Sequence, residues 1–98
     1  GGGGAPGGAL DAPDVASDDG LVRVESPMVG SFYRASSPYA APFVEEGSVV
    51  EAVQTLCLVE AMKLFNEITA ERPGRITQIA VENGEAVEYG QLLFLVEP

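Results

Sequence analysis

Hydrophobic residues fall along this chain in short blocks, and no stretch sustains a 3.6-residue period. Residues 56–59 and 92–96 are continuous apolar runs of the kind found in strands buried on both faces. Val22 and Val24 alternate with polar neighbours, and Ile76, Ile79 and Val81 do so more loosely. Turn signals separate the blocks at Glu46-Gly47, Pro73-Gly74, Asn83-Gly84 and Tyr89-Gly90. The pattern predicts eight short strands, over 21–26, 31–33, 49–50, 55–60, 65–69, 75–81, 86–87 and 92–96.

The blocks repeat. Residues 44–60 (VEEGSVVEAVQTLCLVE) align with residues 81–97 (VENGEAVEYGQLLFLVE) at an offset of 37, with ten of seventeen positions identical. Upstream, Gly30 in MVGSF matches Gly74 in RPGRI at an offset of 44, so the first copy carries seven extra residues within the stretch 35–42. Two similar four-strand halves predict an all-β fold. Two four-stranded antiparallel sheets, related by a pseudo-twofold axis, should pack as a flattened barrel or sandwich.

Composition adds a boundary and several exclusions. Residues 1–20 hold seven of the twelve glycines, two prolines and four aspartates, with Leu10 and Val15 as the only large aliphatics. Such a stretch has too little apolar surface to offset the loss of chain entropy, so it reads as a flexible linker before a domain over 21–98. Fifteen acids against five bases give a net charge of −10, which argues against nucleic acid and anionic membranes. No apolar run exceeds five residues, and the first residues hold neither Met nor a signal segment, so the chain reads as part of something longer. Histidine is absent, which removes histidine-dependent catalysis and most transition-metal sites. The one cysteine, Cys57, aligns with Phe94 of the other copy and reads as a buried, inert thiol in a reducing compartment.

Four of the five bases are arginine, which leaves Lys63 as the only side-chain amine. It lies where the copies part: after the shared Val-Glu the first continues Ala61-Met62-Lys63-Leu64, whereas the second ends at Pro98. The pseudo-dyad therefore sets a Lys63 hairpin against the chain ends, at opposite tips of the domain. An amine on a rigid tip with a tether at the far end is the geometry of a carrier. An unmodified adaptor with the same barrel would not need its one amine on the tip.

Glu60-Ala61-Met62-Lys63 resembles the attachment motif of biotinyl domains. The opening Ser26-Pro27-Met28-Val29-Gly30-Ser31-Phe32-Tyr33 resembles that of the biotin carboxyl carrier subunits of bacterial and plastid acetyl-CoA carboxylases. The resemblance covers 24–97. It implies that a biotin protein ligase attaches biotin to Lys63, within a motif that includes Ala61 and Met62. Biotin carboxylase then loads the ring, and carboxyltransferase passes the carboxyl group to acetyl-CoA, giving malonyl-CoA for fatty acid synthesis. The chain itself is then a non-catalytic carrier, monomeric as an isolated domain, in a bacterial cytoplasm or alternatively a plastid stroma. Other biotin-dependent carboxylases use the same kind of domain. Lipoyl carriers share the fold, but they usually have Asp-Lys-Ala around the lysine and lack an insertion.

The insertion 35–42 resembles the thumb of the same subfamily, which makes Ala35, Ser36, Ser37 and Pro38 candidates for contact with biotin. Ala35 departs from the threonine frequent there, which removes that hydroxyl from any such contact. Met62 suits either core packing or ligase recognition. Glu60, whose twin is Glu97, suits either a structural role or ligase docking. The remaining glutamates at turns read as a solvated surface. Val53 stands where the second copy has Gly90, and an exposed turn with nothing to hold it is expected to relax to negative φ there.

Overall fold

The computed structural model describes residues 20–98, so all but one residue of the expected linker 1–20 lies outside the described residues. Eight strands follow in order: β1 (Val22–Glu25), β2 (Gly30–Tyr33), β3 (Val49–Val50), β4 (Thr55–Ala61), β5 (Leu64–Thr69), β6 (Gly74–Ile79), β7 (Ala86–Val87) and β8 (Leu92–Glu97). They form two four-stranded sheets in the orders β1-β8-β6-β3 and β5-β4-β2-β7, antiparallel throughout. Replacing each strand by its counterpart in the other copy turns the first order into the second, which is the pseudo-twofold axis the repeat predicts. Each sheet therefore draws two strands from each copy.

Between the sheets lies one core, built mostly from the positions the two copies share. Leu56, Cys57 and Val59 of β4 join Leu93, Phe94 and Val96 of β8 in it, together with Phe32, Val44, Val50, Ile68, Ala70, Ile76, Val81 and Val87. Phe32 and Phe94 touch with ring centroids 5.9 Å apart at a tilt of 53°. The twin glycines are needed for close approach. A Cβ on Gly30 would collide with the Glu60 carbonyl oxygen and the Val59 side chain, and one on Gly74 would collide with the Glu97 carbonyl oxygen and Val96.

Two turns in each copy follow one design. In 45–48, 51–54, 82–85 and 88–91 the fourth N–H donates to the first carbonyl, and the fourth side chain accepts from the first N–H. The third residue has positive φ, a type II turn, and is glycine in three of the four. The fourth third-position residue is Val53, at φ 60°, so the expected relaxation to negative φ does not occur. Val53 N–H donates to Ala70 O at 2.7 Å and Ala70 N–H donates to Gln54 O at 2.9 Å. Gly90 and Gln91 make the same two bonds with Ser26. The ladder fixes the turn from outside, and the β-branched residue takes the conformation its twin leaves to glycine.

These bonds also define two poles. At one, the loop 26–29 and the turn 88–91 meet beside Gly30, which packs on Glu60 just before the β4–β5 hairpin. At the other, the turn 51–54 and residues 70–73 meet beside Gly74, which packs on Glu97 just before the C-terminus, with Val22 paired to Val96. Strand β8 runs from one pole to the other, a span of about 20 Å at ~3.4 Å per residue.

Candidate functional site

The chain reverses between β4 and β5 in two residues. Ala61 pairs with Leu64, and both intervening residues have positive φ, 53° at Met62 and 66° at Lys63. That is a type I′ turn, whose twist matches the strands it joins and which usually recruits Asn-Gly. Non-glycine residues in this region cost on the order of 1–3 kcal/mol each and persist only where the surroundings over-determine them. Here six residue pairs between β4 and β5 do so. The result is a tip on which both side chains lie in solvent, Lys63 exposed and Met62 94% exposed. Core packing as a role for Met62 is thereby excluded.

Behind the tip, Glu60 faces a different neighbourhood from its twin. Glu97 pairs with Arg75 across β8 and β6, Oε1 to Nη2 at 2.7 Å. The position equivalent to Arg75 is Ser31, so Glu60 has no such cation opposite it and instead accepts a long hydrogen bond, 3.4 Å, from the Tyr33 hydroxyl. The Tyr33 ring lies 5.9 Å from that of Phe65, at 54°, and Phe65 pairs with Glu60 in the ladder. Leu64 and Phe65 are both exposed, as is Val29 on the neighbouring loop. Sequence patterning did not single out this Tyr33–Phe65 pair; its signal is an aromatic at the outward-facing position on each of two strands flanking β4.

The inserted residues expected to form a thumb are not carried toward Lys63 by β2. Ser31 pairs with Glu60 and Tyr33 with Leu58, so the strand is moving away from the hairpin as it approaches Ala35. Ala35 is half-buried, and Ser36, Ser37 and Pro38 are exposed. A turn closed by Ala40 N–H to Ser37 O, 3.2 Å, places Pro38 second, where its fixed φ suits the bend. Cys57 lies inside the core, and burial pushes its thiol up from 9.0 to about 12, so it stays protonated and unreactive. Among the described residues no group of three or more His, Cys, Asp or Glu is placed to hold a metal ion, and no helix is long and apolar enough to cross a membrane.

Known proteins share both the sequence and the shape. The chain is 52% identical over 81 residues to the biotin carboxyl carrier protein of acetyl-CoA carboxylase from Nostoc sp., an overlap covering 83% of this chain and 44% of that protein. Its counterpart from Pseudomonas aeruginosa is 56% identical over 73 residues, 74% of this chain and 47% of that one. A chloroplastic carrier from Arabidopsis thaliana is 45% identical, covering 80% and 28%. The chain thus spans less than half the length of these relatives. Among solved structures, the urea carboxylase of Kluyveromyces lactis superposes with a TM-score of 0.64 at 26% identity, covering 78% of this chain and 6% of that one. A single-chain, multi-domain long-chain acyl-CoA carboxylase reaches 0.69 at 22%, covering 80% and 7%, a likeness of fold alone. The family described as biotin-requiring enzyme matches residues 22–96, a span that takes in all eight strands but for the last residue of β8, and the chain belongs to that biotin/lipoyl family.

Proposed function

We propose that this chain is the biotin carrier domain of an acetyl-CoA carboxylase, with biotin joined to Lys63. The observation that carries the reading is the placement of the only side-chain amine on a strained two-residue tip, clear of the barrel. The site fits the group: an amide at Lys63 needs an accessible side chain, and Lys63 is exposed. The left-handed backbone at Met62 and Lys63 fixes the direction in which the arm leaves the domain, so the arm swings from a defined root. Biotin supplies a ureido nitrogen that accepts and releases a carboxyl group. Everything else the chain contributes is delivery. Tethering raises the local concentration of the carried group at each partner's active site.

A biotin protein ligase, a biotin carboxylase and a carboxyltransferase are the partners this reading requires. The carboxylate of Glu60, without the cation that neutralises its twin, and the exposed Met62, Leu64 and Phe65 form the surface those enzymes meet. The kinship with bacterial and chloroplastic carriers supports a bacterial cytoplasm or a plastid stroma as the setting. Linker behaviour for 1–20 and a monomeric isolated domain belong to the same proposal.

Co-expression with a biotin ligase, followed by intact-mass measurement and streptavidin blotting, tests it. A single biotin adduct is expected on the native chain and none on Lys63→Arg, whose guanidinium is not the nucleophile the ligase needs. Circular dichroism of that variant should match the native chain. Label remaining on Lys63→Arg, or a lipoyl mass in place of a biotinyl one, overturns the assignment.

A further inference from the structure

Arg34 is the last residue before the insertion, and three of its groups are engaged where the insertion begins and ends. Its N–H donates to Asn83 Oδ1 at 2.8 Å, its carbonyl accepts from Phe43 N–H at 2.8 Å, and its Nη2 donates to the Val44 carbonyl at 3.2 Å. Val44 belongs to the core, so the guanidinium spans the neck of the loop and grips the first buried residue beyond it. Asn83 is itself fixed, because its turn is fastened to β2 on both sides: Gly84 N–H donates to Phe32 O at 2.7 Å and Phe32 N–H donates to Glu85 O at 2.9 Å. In the other copy the equivalent turn residue, Glu46, accepts from Ile79 N–H at 3.1 Å, and no insertion follows. The same capping device has been turned into a loop anchor only where the loop exists.

Past that neck the loop is outside the barrel. Residues 36–42 are exposed, Tyr39 at 98%, and the Ser37–Ala40 bond lies within the loop itself. We infer that Arg34, seated by Asn83, is the positioning residue of the thumb. It fixes the root from which the loop carrying Ser36, Ser37 and Tyr39 leaves the barrel. The inference rests on the reading of Lys63 as the biotin site and of residues 35–42 as a thumb that meets the carried group, and it adds to that reading a requirement for a loop rooted by Arg34.

The test uses the full chain after co-expression with a biotin ligase, comparing native protein with Arg34→Met, Arg34→Lys and Asn83→Ala. Amide hydrogen exchange at Ala40 and Phe43 should accelerate about tenfold in Arg34→Met and Asn83→Ala, the effect of losing one net hydrogen bond, while exchange in β4 and β8 stays unchanged. Arg34→Lys, which can still donate to the Val44 carbonyl, should recover most of the protection. With a biotin carboxylase, kcat for the biotinylated Arg34→Met chain should fall several-fold at little-changed KM, since the surface around Lys63 is intact. Unchanged exchange at Ala40 and Phe43 overturns the latch, as does acceleration spread evenly over the whole barrel. Should Arg34→Met fail to fold, Asn83→Ala decides alone, because its exposed side chain supplies only the one cap. Absence of biotin on the native chain refutes the Lys63 reading, and the exchange result then reports on the latch by itself.

Discussion

Replacing Val53 by glycine should stabilise the domain, although it removes a side chain and adds backbone freedom. Val53 sits at φ 60°, and a β-branched residue there carries strain on the order of 1–3 kcal/mol. Against its release stand two costs. Glycine widens the unfolded ensemble, a penalty of about 0.4–1 kcal/mol. The valine side chain is 78% exposed, so its loss forfeits only about a fifth of full burial, roughly 0.5 kcal/mol. The hydrogen bonds from Val53 N–H to Ala70 O and from Gln54 N–H to Glu51 O are backbone bonds and survive the change. The balance favours Val53→Gly by about 1 kcal/mol, or a rise in Tm of about 4–8 °C for a domain of this size. Urea and thermal unfolding followed by circular dichroism measure it. Val53→Ala, which sheds the branch but keeps a Cβ at positive φ, should fall between the two. A Gly variant no more stable than the native chain, or an Ala variant more stable than Gly, refutes the reasoning.

Alkaline pH should destabilise the domain through Cys57: the unfolded chain releases the thiol proton above pH 9 while the folded one holds it to about 12, so stability intact below pH 9 is lost progressively toward pH 12. Urea unfolding at pH 8 and pH 11 should show a smaller loss in Cys57→Val than in the native chain, and equal losses count against the burial account. Gly30→Ala and Gly74→Ala should each destabilise by about 1–3 kcal/mol, because a Cβ at either site meets backbone carbonyl oxygen. Only Gly30→Ala should also slow biotin labelling, since only that glycine packs beneath the Lys63 hairpin, and equal labelling of the two contradicts this. Deleting 35–42, so that Arg34 joins Phe43, should leave unfolding cooperative, as the second copy builds the same barrel without the insertion; a broadened transition in urea shows the contrary.

What could be read in advance was whatever repeats or alternates. All eight strands lie within two residues of the expected ranges, because a strand buried on one or two faces must show that burial in its own residues. The twofold relation followed from ten identities, and the two sheets obey it strand for strand. Backbone sign did not follow. Nothing in Ala61-Met62-Lys63-Leu64 announces a type I′ turn, since the six pairs of the ladder impose it on residues that do not prefer it. At Val53 local preference pointed the other way and lost to two hydrogen bonds with Ala70, a partner seventeen positions along the chain. The Arg34 latch was hidden for the same reason: its acceptor is Asn83 in the other copy, and an arginine before a loop carries no mark of what it grips.

The exchange of strands between the two copies governs when this domain can come into being. Strand β1 leaves the ribosome first and β8 last, yet they lie side by side, with Val22 against Val96. Strand β8 also separates β1 from β6, so the first sheet has no middle until it arrives, and the second sheet has no Leu93, Phe94 or Val96 to pack upon. Contacts this distant along the chain form late and slowly. A nascent or truncated chain can contain Lys63 and every residue around it and still lack the core against which the β4–β5 ladder, which holds Met62 and Lys63 in left-handed backbone, is packed. On the proposed reading of Lys63, a ligase that recognises the mounted tip would act only on chains in which β8 has joined β1 and β6.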